Sequence, residues 1–156
     1  MKLAFIFVGG QKEEWLMDLS QDYAKKLNFF CATEIIRLKP TRFARASSAQ
    51  KLDAETVDIM KALRPDDLLV VCDEKGDPVT SRKLSEKMVK LLERGRPRLV
   101  FLIGGAFGVN ESVMQRADYT WSFSKLVFPH MLVRLLLAEQ IYRACTILRN
   151  EKYHHL

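Results

Sequence analysis

Phe101-Leu102-Ile103-Gly104-Gly105-Ala106-Phe107-Gly108 carries an apolar run straight into a glycine-rich turn. A run of this kind reads as a strand buried on both faces. Glycines directly behind it let the backbone approach a ligand closely or adopt positive φ. The spacing is not the Gly-x-Gly-x-x-Gly dinucleotide fingerprint, and no helix clearly opens on the turn. Taken alone, the turn is either a ligand cradle or a plain tight turn.

Strands of the same type recur on both sides of it, separated by helices. Upstream, residues 3–8 form an apolar, aromatic run, and Ile35 and Ile36 mark a second strand over 33–38. Between them, Trp15, Leu16, Leu19, Tyr23 and Leu27 recur at helical spacing over 13–27. Residues 39–51 break the pattern, with Pro40, Arg42, Arg45, Ser47 and Ser48 around Phe43, and read as an exposed basic loop. A helix with Leu52, Val57, Ile59, Met60 and Leu63 apolar follows and ends at Pro65. Residues 68–72 form the next strand, closed by the turn signal Gly76-Asp77-Pro78. Thr80 or Ser81 then caps a helix bearing Leu84, Met88, Leu91 and Leu92, which Gly95 stops. Downstream of the glycine turn come a short helix over 111–116, a strand over 119–123 and a last helix over 130–149.

This alternation predicts an α/β fold with a mostly parallel sheet and helices on both faces. No linker or repeat divides the 156 residues, so one domain is expected over 1–156. In such sheets ligands bind outside the carboxyl ends of the strands, which directs attention to the segments after Cys72, Ile103 and Phe123. In the last helix Leu132, Val133, Leu135, Leu136, Leu137, Ile141, Ala144, Cys145 and Leu148 cover more than one stripe. A helix apolar nearly all round is buried on several sides. A homodimer interface would bury the excess face.

Composition narrows the chemistry. The chain is 48% hydrophobic and 28% charged, ordinary for a globular protein. Its net charge of +6 suits either a polyanionic partner or a solvated basic surface. Cys31, Cys72 and Cys145 are widely spaced in apolar contexts, which excludes a zinc ribbon or Cys-x-x-Cys redox motif and fits a reducing compartment. The opening Met1-Lys2-Leu3-Ala4-Phe5-Ile6-Phe7-Val8-Gly9-Gly10 is too short an apolar run for a signal peptide. Nothing approaches the roughly 18 apolar residues of a membrane span. A cytoplasmic protein without membrane association is expected. There is no nucleophile elbow and no Walker loop, which removes most hydrolases and NTPases.

Two further segments stand out. Ser122-Phe123-Ser124-Lys125-Leu126-Val127-Phe128-Pro129-His130 is apolar for a loop; it is a pocket wall or a buried connection held by Pro129. His130 within it reads as a first-turn helix residue. The tail Asn150-Glu151-Lys152-Tyr153-His154-His155-Leu156 either contacts phosphate or stacks on a base, or is a frayed terminus or the remnant of a tag. Adjacent histidines lack helical metal-pair spacing, so no metal is expected.

These segments, with Leu69-Val70-Val71-Cys72-Asp73-Glu74-Lys75-Gly76, Leu126-Val127-Phe128-Pro129-His130-Met131-Leu132-Val133-Arg134 and Ala138-Glu139-Gln140-Ile141-Tyr142-Arg143-Ala144, occur in a characteristic order. The chain resembles, end to end, the ribosomal large-subunit methyltransferase H family of the SPOUT superfamily. The resemblance implies a SPOUT-type α/β knot, with the C-terminal part of the sheet threaded as a trefoil, and a homodimer. It implies N3-methylation of a pseudouridine in 23S ribosomal RNA within the 70S ribosome, on a stem-loop at the subunit interface, with S-adenosylmethionine as donor.

It further implies that Cys72, Gly104 and Gly105 hold the cofactor by their backbone. Ser124, Lys125, Leu126, Val127, Phe128 and Pro129 would wrap it. Arg134, Arg143, Tyr153, His154 and His155 are the implied RNA-contacting residues, along with the 39–45 loop. Three positions depart from the family pattern: Cys72 stands where leucine is usual, Phe107 where a small or acidic residue is common, and His155 where arginine or lysine is frequent. Because the donor methyl is already activated, the protein mainly supplies alignment, and His154 is the candidate to assist departure of the N3 proton. Competing readings are a SPOUT methyltransferase acting on another RNA and a non-catalytic RNA- or ribosome-binding module. A flavodoxin-like nucleotide sensor would need a phosphate loop near Gly9-Gly10, which is missing.

Overall fold

The computed structural model describes residues 1–9, 14–39 and 46–154. Strands and helices alternate over them: β1 (Lys2–Val8), α1 (Glu14–Leu27), β2 (Thr33–Leu38), α2 (Ser48–Ala62), β3 (Asp67–Pro78), α3 (Ser81–Leu92), β4 (Arg98–Ile103), α4 (Glu111–Arg116), β5 (Tyr119–Ser122) and α5 (His130–Leu148). The strands form one sheet in the order β2-β1-β4-β3-β5 with every pairing parallel. All five carboxyl ends therefore open on the same edge.

β1 and β4 are buried along nearly their whole length because both sheet faces are covered. On one face Leu16, Met17 and Leu27 of α1, Leu84 and Met88 of α3, and Leu137 and Ile141 of α5 pack on Phe5, Phe7 and Phe101. On the other, Ile59 of α2 and Val113 of α4 pack on Ile6, Val71 and Leu102. Two cores on opposite faces explain why the strands read as unbroken apolar runs.

Several boundaries differ from the sequence reading. The basic segment is not a loop throughout. Ser47 caps α2 in a reciprocal capping box with Gln50, which places 48–51 in the helix. Residues 40–45, including Pro40, Arg42, Phe43 and Arg45, lie outside the described residues, as does Gly10. Thr80 rather than Ser81 caps α3, accepting from the Lys83 amide.

The turn expected at Gly76-Asp77-Pro78 is instead extended chain. β3 runs on to Pro78 and pairs again with β5 after an irregularity between Cys72 and Asp77. A Cβ on Gly76 would lie 2.6 Å from the backbone carbon of Trp121, so the glycine permits close backbone approach. The apolar faces also shift in phase. Trp15 and Leu19 of α1, and Val57 and Met60 of α2, point outward, while Ser20, Glu55 and Thr56 are buried. Ser20 tolerates this by donating to the Leu16 carbonyl at 2.9 Å.

At the amino ends of the strands, Asp67 and Arg98 face each other across β3 and β4. Both are almost completely buried. Arg98 grips Asp67 with Nε and Nη2 and also reaches Glu34 and the Ala62 carbonyl. Asp67 accepts the Arg64 amide at 2.7 Å as well. Burial works against ionisation of Asp67, yet the bonds from Arg98 and Arg64 outweigh it and hold the carboxyl below its ordinary range.

Candidate cofactor cavity

At the carboxyl edge of the sheet, residues 72–75 of β3 and the chain leaving β4 and β5 surround a cavity of about 450 Å³. The size suits a ligand of nucleoside dimensions. Its floor is the turn after β4. Gly108 closes that turn by donating to the Gly105 carbonyl at 3.0 Å and adopts φ +75°. A Cβ on Gly104 would sit 2.5 Å from the Gly108 carbonyl oxygen, so the turn can fold back on itself only if that residue is glycine. Gly104 and Gly105 therefore present bare backbone to the cavity.

The segment after β5 forms the opposite wall. Ser122 Oγ donates to the Ser124 carbonyl and Ser124 Oγ accepts the Leu126 amide, both at 3.0 Å, which bends the chain over the opening. Leu126 and Val127 line the cavity yet stay 69% and 84% exposed. Apolar side chains held out in this way at a cavity rim suit contact with a planar ligand. Phe123 and Phe128 line it too, and the Trp121 ring lies tilted against that of Phe123, with centroids 4.1 Å apart. Of the residues expected at a cofactor, Cys72, Gly104, Gly105, Ser124, Leu126, Val127 and Phe128 converge here, whereas Lys125 and Pro129 do not face the cavity.

Asp73 and Glu55 were given no role from sequence, and His130 was read only as the start of a helix. Asp73 follows Cys72, and its Oδ1 accepts the Lys75 amide at 2.9 Å. His130 lines the mouth rather than merely starting α5; burial and the Arg134 charge push its pKa down, towards the neutral imidazole. Glu55 stands behind the glycine turn. Its only sequence signal was its position on the stripe with Leu52, Thr56 and Ile59. Burial pushes the Cys72 thiol up, so it acts as an apolar wall rather than a nucleophile.

The residues expected at RNA are more dispersed. Arg134 is 1% exposed, donates to the Val8 carbonyl at 2.8 Å, and lies over the Phe7 ring. It fastens α5 to the end of β1 instead of facing solvent. Arg143 pairs with Glu139, lies over the Tyr153 ring and approaches His154 Nδ1 at 3.4 Å. The Tyr153 hydroxyl donates to Glu139 and meets that of Tyr23. The tail thus folds back on α1 and α5, and neither Tyr153 nor His154 lines the cavity. His155 lies outside the described residues. Among the described residues no cluster of His, Cys, Asp and Glu could hold a metal, and no helix is long and apolar enough to cross a membrane.

A profile of the family described as "Predicted SPOUT methyltransferase" matches residues 1–154. Proteins named ribosomal RNA large subunit methyltransferase H align along the whole chain. The one from Desulfitobacterium hafniense (strain DSM 10664 / DCB-2) is 37% identical over 158 residues, covering 99% of each chain. That from Bdellovibrio bacteriovorus is 37% identical over 156 residues, covering all of both, and that from Geobacter metallireducens is 38% identical over 155, covering 99% of each. Among solved structures, a probable methylase family protein from Haemophilus influenzae Rd KW20 superposes with a TM-score of 0.55 at 12% identity, covering 98% of this chain and 70% of that one. This last likeness speaks for the fold.

Proposed function

Because the chain belongs to the SPOUT methyltransferase family, we propose that it transfers a methyl group from S-adenosylmethionine to N3 of a pseudouridine in 23S ribosomal RNA, on the assembled 70S ribosome in the cytoplasm. The observation that carries this reading is the glycine turn, whose bare backbone faces a cavity closed by an apolar flap. The fit is chemical as well as spatial. Gly104 and Gly105 line the cavity without side chains, the turn they form depends on their lacking a Cβ, and Leu126 and Val127 supply the apolar cover.

When bound, the cofactor supplies a methyl group on a positively charged sulfur, already activated for transfer. The protein's share is then placement. Residues 72–75 of β3 and the turn after β4 hold one side of the ligand, and residues 124–129 hold the other and exclude water. The proposal includes a single SPOUT domain whose C-terminal part is threaded as a trefoil, with which the strand order is compatible. Lys125 and Pro129 stay in the wrapping segment and Arg143, Tyr153 and His155 on the RNA side, with the buried Arg134 supporting that side by fastening α5 to the Val8 carbonyl.

His154 is proposed to assist loss of the N3 proton. Since the tail lies away from its own cavity, that role assigns His154 to the cavity of a second copy, which makes the homodimer part of the mechanism. The half-buried Leu132, Leu135 and Leu136 on α5 offer apolar area for such a contact. Replacing His154 with alanine is expected to lower turnover on ribosomes by about 10²-fold or more while leaving cofactor affinity unchanged. Unaltered turnover would remove His154 from the reaction.

The test of the whole reading is calorimetric titration with S-adenosylmethionine and its demethylated product, followed by transfer of labelled methyl to 70S ribosomes lacking the modification. Micromolar binding and label in 23S RNA are expected. Absence of binding even with ribosomes present would favour a non-catalytic ribosome-binding module. Label appearing only in another RNA would retain the enzyme and change its substrate.

A further inference from the structure

Glu55 has no part in the reaction as derived, yet it stands against the cofactor turn. It is 9% exposed, and its Oε2 finds no hydrogen-bond partner among the described residues. Burying a carboxylate oxygen without a donor is costly, so its position calls for a physical reason. Gly105 supplies one. A Cβ there would collide with Glu55 Oε2 and lie 3.0 Å from both Cδ and Oε1. The carboxyl therefore rests on the bare Cα of Gly105, which lines the cavity while Glu55 does not. On the cavity side, Asp73 Oδ2 comes within 3.8 Å of where a Cβ on Gly108 would be. Two acidic side chains thus bracket one glycine turn, one from behind and one from the front.

Only the thickness of a glycine backbone separates Glu55 from a ligand pressed against Gly105. With van der Waals contact of about 3.5–4 Å on each side, a ligand atom there lies about 7 Å from the carboxyl. At the effective dielectric of about 20 that suits such sites, a full charge at that distance changes affinity by on the order of tenfold or more. Lys51, one turn earlier on α2, offsets part of the field, and Lys75 and His130 also face the cavity. Burial pushes the Glu55 carboxyl up, and an arriving cation would favour its ionised form.

We propose that Glu55, acting through the bare backbone of Gly105 and together with Asp73, makes the cavity prefer a cationic sulfonium donor over the neutral thioether product. The inference rests on the methyl-transfer reading above. In that reaction the S–CH3 bond breaks and its electron pair stays on sulfur. The methyl carbon bonds to N3, and the N3 proton passes to a base. The ligand loses its sulfur charge in the same step, so the carboxyls hold the donor and release the product. Because that charge is already declining in the transition state, the contribution belongs to donor binding rather than to the chemical step.

The experiment is calorimetry of the full-length protein with S-adenosylmethionine and with S-adenosylhomocysteine, for the wild type, Glu55→Gln and Asp73→Asn. Glu55→Gln is expected to weaken S-adenosylmethionine about tenfold and S-adenosylhomocysteine less than twofold, with the loss appearing in KM for the donor rather than in kcat. Asp73→Asn is expected to shift the ratio in the same direction, and it carries the test if the first variant fails to fold. Equal weakening of both ligands, or an unchanged ratio, would overturn the inference and leave the methyltransferase reading intact. Failure of the wild type to bind either ligand, with or without ribosomes, would overturn both.

Discussion

Gly104→Ala is expected to lower S-adenosylmethionine affinity and kcat/KM by at least about 10²-fold, the scale on which misplacing a reactant by about 1 Å lowers rates. The added Cβ would lie 2.5 Å from the Gly108 carbonyl oxygen, 2.7 Å from its carbon and 2.9 Å from Val109 Cγ1. Two of these three atoms are backbone, so relief requires the turn itself to open, displacing the peptide groups that face the cavity. The folding cost is smaller, about 1–3 kcal/mol, as for other overpacked sites. Binding and stability should therefore separate: a cooperative thermal transition persists while calorimetry shows no saturable heat at micromolar ligand. The same substitution at Gly105 meets the end of the flexible Glu55 side chain, which can swing aside, and its effect should be milder. Micromolar binding retained by Gly104→Ala would show that the turn does not hold the cofactor.

The largest stability effect is expected at the other end of the sheet. Asp67→Ala leaves the Arg98 guanidinium, 2% exposed, with only the half-exposed Glu34 as a counter-charge. Removing one partner of a buried ion pair costs about 3–5 kcal/mol, a large share of the roughly 5–15 kcal/mol that holds a domain together. At about 2–4 °C per kcal/mol for a chain of this length, the melting midpoint should fall by about 10 °C. Adding Arg98→Met should restore much of the loss, because the stranded charge disappears.

The sign with pH follows from the carboxyl. Its folded value lies below the ordinary 3.8, so its stabilisation is fully present above that value and is lost as pH falls through the folded one. The variant should lack this part of the acid transition. A midpoint within about 2 °C of wild type would mean that the pair contributes little.

Most of the architecture was legible because a parallel sheet covered on both faces imposes a simple pattern. β1 and β4 had no alternative reading as apolar runs, and β2 and α4 lie where local spacing put them. What escaped depended on contacts distant in sequence. Continuation of β3 through Gly76 is decided by the backbone of Trp121, not by the Gly-Asp-Pro signal. Helix phase failed where two apolar stripes overlap: Trp15 and Leu19 looked as suitable for the core as Leu16 and Leu27, and Val57 and Met60 as suitable as Ile59.

The cavity divides in the same way. Strand ends and glycines directed attention to Cys72, Gly104, Gly105 and the segment after Phe123, the family resemblance named the individual residues, and the folded chain brings Cys72, Gly104, Gly105, Ser124, Leu126, Val127 and Phe128 to one cavity. Glu55 was not legible, since a charged residue on a helix is ordinarily read as solvated. Arg134 entered only as an RNA contact implied by the family resemblance, and its burial between α5 and the end of β1 shows only in the folded chain.

The Asp67–Arg98 clasp and the glycine turn lie at opposite ends of the same two strands, β3 and β4. That separation has a consequence for how the molecule can change over generations. Substitutions around the clasp alter tolerance to heat and acid without touching the ligand, and substitutions around the turn alter ligand preference without loosening the clasp. Lineages moving into hotter or more acidic habitats therefore have a place to vary that selection on the reaction leaves free.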